Sequence, residues 1–203
     1  MSLFIVWFGV MFPLVFSPGP ANIVFAMSGA KVGVKRSIPL IAGVDTVFIL
    51  KSILIGFGLG EVLKTQPLLM NSMQLIGSVY LLYLAAKFFT AQSAGSKDSA
   101  KLLGFMDGVL VQLLNSKGWL MVFLMFTLFA EHAQANFAEQ GVVVLIAWLA
   151  ILNISVHFIW VSMGGLLSKV SSSKLYEKVL NGVYSASLAL VAIWLLAENP
   201  LFS

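Results

Sequence analysis

Between Gly141 and Leu167 the chain contains no Asp, Glu, Lys or Arg, and Val142 to Ile151 is apolar on every face. A run of that length and uniformity restricts the fold more than any motif does. About 20 residues rising 1.5 Å each cross the hydrocarbon layer of a bilayer, so apolar runs of roughly 18 or more read as membrane helices. A transmembrane β-strand would instead alternate apolar and polar residues over about ten positions. Comparable segments lie near residues 3 to 30, 38 to 60, 68 to 87, 105 to 130, 141 to 167 and 182 to 198. The expectation is an all-α integral membrane protein of about six transmembrane helices. Composition agrees, since 60% of the 203 residues are hydrophobic and 10% are charged. The mean hydropathy of +0.99 describes more apolar surface than one soluble core can cover.

Connections between these segments are short, the longest running roughly from Thr90 to Gly104, so residues 1–203 read as a single transmembrane domain. The opening MSLFIVWFGV has no basic n-region and continues apolar to Met27, which reads as a retained first span rather than a signal peptide. No cysteine occurs, which excludes disulfides and thiolate metal sites. No cofactor or metal is expected.

Lys and Arg of short loops stay on the cytoplasmic side during insertion. Of the 12 basic residues, Lys31, Lys35 and Arg36, then Lys87, Lys97 and Lys101, then Lys169, Lys174 and Lys178 fall in three alternate loops. The opposite side carries Lys64 with Glu61, Glu131, Glu139 and Glu198. Both termini are therefore expected outside. The net charge of +4 reports topology and contact with the lipid bilayer, not nucleic-acid binding.

Two lysines, Lys51 and Lys117, remain inside apolar segments, with Asp45, Asn22, Asn115, Asn153 and His157 at similar depth. A charge at a helix centre costs about 2.5 to 3.5 kcal/mol on insertion, so such residues face the protein interior and mark functional sites. Asp45 and Lys51 are six positions apart, about 240° around a helix, so each must find its partner elsewhere. Asn153 and His157 are expected to tie helices together, and Asp107 to be interfacial.

Ser17-Pro18-Gly19-Pro20 falls in the middle of the first apolar segment. A proline lacks an amide hydrogen and clashes with the carbonyl four residues back. Pro18 and Pro20 thus deprive the carbonyls of Leu14 and Phe16 of helical partners, as Pro13 does Gly9. A break at membrane depth persists only where protein or water satisfies the freed groups. The new half-helix from Ala21 presents a positive dipole end to a carboxylate, and the freed carbonyls can accept from an ammonium. A zwitterionic amino acid matches both.

Asn115-Ser116-Lys117-Gly118 interrupts the fourth segment in the same way. Setting Ser17 on Asn115 also brings Phe25 onto Phe123 and Met27 onto Met125, a weak repeat at an offset of 98. An odd number of crossings inverts the second copy, so two inverted three-helix repeats are expected, about 1–90 and 102–203. Paired interrupted helices in such halves point to a transporter site at the midplane.

These residues resemble the lysine exporter and homoserine/threonine efflux family (LysE/RhtB), over almost the whole chain. The likeness lies in Ser17-Pro18-Gly19-Pro20, Ala42-Gly43, Gly56-Phe57-Gly58-Leu59-Gly60, Gly77-Ser78-Val79-Tyr80-Leu81, and above all Gly104 to Lys117. The resemblance implies a secondary transporter, not an enzyme, that exports amino acids or related small solutes across the bacterial inner membrane in exchange for protons or another counter-ion. The chain departs from the family at Asn115-Ser116-Lys117, where Asn-Pro-Lys is common, and at Val47 and Lys51, where a glycine and then a histidine are often found.

The expected substrate-binding set is Ser17, Pro18, Gly19, Pro20, Asn22, Asp45, Lys51, Asn115, Ser116 and Lys117. The competing readings are a small-cation transporter using Asp45 and an intramembrane enzyme. The second lacks a catalytic constellation beyond a conceivable pairing of Ser17 with Lys51 or Lys117. Gly56 and Gly60 form a GxxxG pair that suits an internal helix or a second subunit, so a homodimer is one expected assembly.

Overall fold

The computed structural model describes residues 2–59, 67–90, 103–170, 174–197 and 199–200, and all the regular structure among them is helical. Helix α1 is Leu3–Phe16. The next run, Pro20–Leu54, is two helices, because Gly33 turns the chain with φ 76° and ψ 176°. We label them α2 (20–32) and α3 (34–54), with α3 ending in the π-helical turn Ile55–Leu59. Then follow α4 (Pro67–Thr90), α5 (Phe105–Leu113), α6 (Ser116–Phe137), α7 (Gly141–Val170) and α8 (Lys174–Ala197). With α1–α2 and α5–α6 each taken as one interrupted rod, there are six rods among the described residues, the number expected.

The first basic loop is tighter than expected. Lys31, Lys35 and Arg36 all lie in helix, and only Gly33 leaves it. The positive φ, open to glycine at little cost, lets α2 and α3 fold back in one residue. The hydroxyls of Ser28 and Ser37 meet across that hairpin at 2.8 Å.

Small residues set the helix crossings. A Cβ on Gly29 of α2 would sit 1.9 Å from the Val161 carbonyl oxygen of α7, and one on Gly164 of α7 equally close to that of Ala26. At the α3–α5 crossing, Gly43 lies against the Phe105 carbonyl and Gly108 against that of Leu40. Such backbone proximity is how helices associate where lipid removes the hydrophobic drive. Gly56 is seated against Phe126 and Val142 of its own chain, and its GxxxG partner Gly60 lies outside the described residues. α4 and α8 pair antiparallel, with Gln74 Nε2 donating to Leu195 O and Asn199 Nδ2 to Asn71 O. Asp107 caps α5 by accepting from the Gly104 amide at 2.9 Å, and it also accepts from the Tyr80 hydroxyl at 3.2 Å.

The interior divides into two apolar cores. One gathers Phe25, Met27, Leu40, Val44, Leu84, Val161 and Leu188. The other gathers Trp7, Met11, Phe48, Val122, Met125, Leu149 and Val156. The outer surface is apolar too: Ile151 is 66% exposed, Leu190 67% and Leu120 64%. Exposed apolar area on this scale marks a surface made for lipid or protein, not water.

Candidate functional site

The two cores meet at the level of the two helix breaks, and the polar residues collect there. α1 ends at Phe16 and α2 begins at Pro20, where proline's missing amide costs nothing. The carbonyls of residues 14 to 17 are all taken up by the protein. Leu14 O accepts from Ser17 Oγ at 2.9 Å, and Phe16 O from Trp160 Nε1 at 3.2 Å. Asn22 Nδ2 reaches back to Val15 O at 2.9 Å and Ser17 O at 3.0 Å. Lys117 Nζ donates to Ser17 O at 2.9 Å and to Ser17 Oγ at 2.7 Å. The sequence pattern left these carbonyls open to a solute's ammonium. In the structure the ammonium on Ser17 belongs to the chain itself.

The second break, at Leu114 and Asn115, is built without proline. Asn115 Oδ1 accepts from the Gly118 amide at 3.3 Å, the N-cap bond that begins α6, and Asn115 Nδ2 donates to Gln112 Oε1 at 3.1 Å. Lys51 Nζ donates to Gln112 O and lies 4.3 Å from the centre of the Trp119 ring. Trp119 Nε1 in turn serves Leu113 O at 2.9 Å. Gly77 of α4 lets Leu114 O approach, since a Cβ there would stand 2.5 Å from it. Both breaks are thus closed by a lysine on a half-helix carbonyl, at the end where the helix dipole favours a cation.

A small cavity of about 20 Å³ lies between the breaks, room for about one water. Gly19, Pro20, Ala21 and Asn22 line it from the first break, and Asn115, Lys117 and Gly118 from the second. Gln112, Asn153 and His157 add polar groups to the wall. Of the residues expected to bind a solute, Gly19, Pro20, Asn22, Asn115 and Lys117 are brought together here. Ser17 stands behind Lys117, Pro18 is exposed, and Ser116 is half-buried at the start of α6.

Asp45 and Lys51 are both buried but do not line the cavity. Asp45 Oδ1 lies 2.7 Å from His157 Nδ1, so it reaches the cavity through that imidazole. His157 is also packed against Phe25, ring centres 4.4 Å apart. The pair joins α3 to α7 as a helix tie, while the same ring faces the cavity. Asn153 donates to Leu149 O of its own helix at 2.9 Å, which leaves its carbonyl oxygen for the cavity. Gln112 escaped notice in the sequence. Its signal was a lone amide three residues before Asn115.

An apolar exterior, helices broken in pairs and a polar cavity between the breaks define a helical membrane translocator. The LysE type translocator family model matches residues 4–199, and the chain belongs to that family, whose members are transporters and not enzymes. Curated relatives include proteins from Salmonella typhi, Escherichia coli (strain K12) and Shigella flexneri serotype 5b, each described as a cysteine/O-acetylserine efflux protein. Each is 26% identical over 181 residues, covering 87% of this chain and 89% of its own. No solved structure matches the chain.

Proposed function

We propose that this protein exports small amino acids or closely related zwitterions across the bacterial inner membrane, in exchange for protons, through the cavity between its two helix breaks. The observation that carries this is the meeting of those breaks: Lys117, just past the second, sits on Ser17 of the first. A cation-binding carbonyl end, two half-helix N-termini and a buried Asp45–His157 pair surround one space. An ammonium, a carboxylate and a proton each find a complementary group there. Asp45 lies eleven residues into α3, about 16 Å along it, which suits the midplane of a hydrocarbon layer roughly 30 Å thick. Relatives named for cysteine and O-acetylserine efflux make small neutral zwitterions the first solutes to try.

The helix pairing supports two inverted halves. α2 crosses α7, α3 crosses α5, and α4 pairs with α8. Exchanging the first rod with the fourth, the second with the fifth and the third with the sixth preserves these pairings of whole rods, although the half-helix used differs, α2 lying after its break and α5 before its own.

The test is efflux from vesicles reconstituted with this protein alone and preloaded with a panel of amino acids that includes cysteine and O-acetylserine. Acid on the side opposite the solute should accelerate release, and a protonophore should remove the acceleration. Release of no member of the panel would end the exporter reading, and release indifferent to the gradient would end proton exchange.

Orientation can be checked separately in a chain without cysteine. A cysteine replacing exposed His132, near the end of the fourth rod, should react with an impermeant reagent added outside intact cells. One replacing exposed Lys35 should react only after permeabilisation. The opposite pattern would reverse the topology.

A further inference from the structure

We infer that the Lys117 ammonium is the carrier's own substitute for the solute's ammonium, filling the cation position while the site is empty so that the empty carrier can close and return. The inference rests on the cavity being the solute site and assigns one residue the step after release.

Lys117 Nζ holds two oxygens of Ser17, at 2.9 Å and 2.7 Å. These are the atoms an amino acid's ammonium would use at the carbonyl end of α1, because an ammonium has three donors and no acceptor. Its route is kept open by a glycine: a Cβ at Gly19 would sit 3.1 Å from Lys117 Cδ and 3.2 Å from Nζ. With the lysine in place the remaining space is about 20 Å³, so no amino acid enters until the lysine moves. Moving it is feasible because both its acceptors are uncharged, and no carboxylate among the described residues holds it. A buried ion pair would resist displacement far more strongly. An incoming ammonium therefore replaces like with like on Ser17, and the displaced lysine stays in the cavity wall, in reach of the same solute's carboxylate.

The consequence is kinetic. Exchange of solute for solute uses only loaded carriers, whose solute supplies the ammonium. Net efflux also needs the empty carrier to close over the negative end of α1, and there Lys117 is the only ammonium on Ser17 among the described residues.

The experiment uses reconstituted full-length protein and the amino acid of the panel that the wild type moves fastest, saturating where exchange is measured. In Lys117→Gln, whatever exchange loses with the solute contact, net efflux should fall about tenfold further, so that the ratio of net efflux to exchange drops on the scale set by leaving one buried acceptor without its donor. Ethylammonium added to Lys117→Ala should restore net efflux in part. Equal loss of exchange and net efflux, or net efflux unchanged, would overturn the assignment. If neither lysine variant accumulates, Ser17→Ala removes the shorter of the two hydrogen bonds and should slow net efflux more than exchange, equal slowing again counting against it. A wild type that moves nothing in the panel sinks the exporter reading itself, and is told apart because the failure is not confined to the variants.

Discussion

Gly19→Leu should abolish transport while the protein accumulates at its normal level, whereas Gly29→Leu should remove the protein. Gly19 is extended, at φ −164° and ψ 177°, a conformation open to any residue, so leucine brings no backbone strain. What its side chain meets is the end of Lys117, 3.1 to 3.2 Å from the new Cβ. A flexible lysine can give way, but the leucine then occupies the cavity and displaces the ammonium from Ser17. Gly29 faces backbone instead: its Cβ would stand 1.9 Å from Val161 O and 2.7 Å from the carbonyl carbon. Only separation of α2 from α7 by more than an ångström relieves that, at a crossing where Gly164 of α7 is equally close to Ala26 O. The cost should exceed the roughly 1–3 kcal/mol of ordinary overpacking. Immunoblotting of membranes alongside efflux separates the two outcomes, and normal efflux by an abundant Gly19→Leu protein would remove the first break from the pathway.

Asp45→Asn should leave abundance near normal, reduce efflux about tenfold or more and flatten its dependence on the pH gradient. Asparagine keeps an oxygen for the His157 ring, so the tie between α3 and α7 persists, but it cannot exchange a proton. Asp45 is the only carboxylate among the buried described residues, and the other charged side chains at this depth, Lys51 and Lys117, already hold the two breaks. Truncating the partner should act differently. His157→Ala leaves the buried Asp45 without its hydrogen-bond partner and should lower the amount of protein rather than its rate per molecule. Wild-type efflux by Asp45→Asn across the pH range would make Asp45 a structural residue.

The helices and their breaks could be read from the sequence because their causes are local. Apolar runs dictate the rods, and the prolines at 18 and 20 and the amide at 115 interrupt them with chemistry contained within a few residues, while Pro13 sits inside α1 without ending it. Loop length was harder. Lys31, Lys35 and Arg36 read as a loop by charge, but one glycine at positive φ completes the turn and the charges ride on helix ends. What closes the breaks was not visible at all. Trp160 is 144 residues from Phe16, Lys117 is 100 from Ser17, and His157 is 112 from Asp45. No periodicity or spacing encodes pairings at that separation. The sequence showed only that Lys51 cannot pair with Asp45 and must find its partner elsewhere; the fold supplies Gln112 O. His157 and Asn153 looked like helix ties; His157 is one, through Asp45, whereas Asn153 bonds within its own helix, and both also line the cavity. At a crossing this close, one side chain serves packing and site together.

That amino-acid-like solutes pass between the two breaks is the central claim, and protection from thiol modification tests it most directly. The protein contains no cysteine, so single cysteines report alone. Ala21→Cys on α2 and Met121→Cys on α6 place one thiol on each half of the cavity wall, and His132→Cys at the exposed end of α6 serves as the control. The amino acid that is transported should slow modification of the first two over one concentration range, the range that half-saturates transport, and leave the third unchanged. Modification of Ala21→Cys and Met121→Cys at an undiminished rate, in proteins that still transport the solute, would place the pathway elsewhere in the molecule.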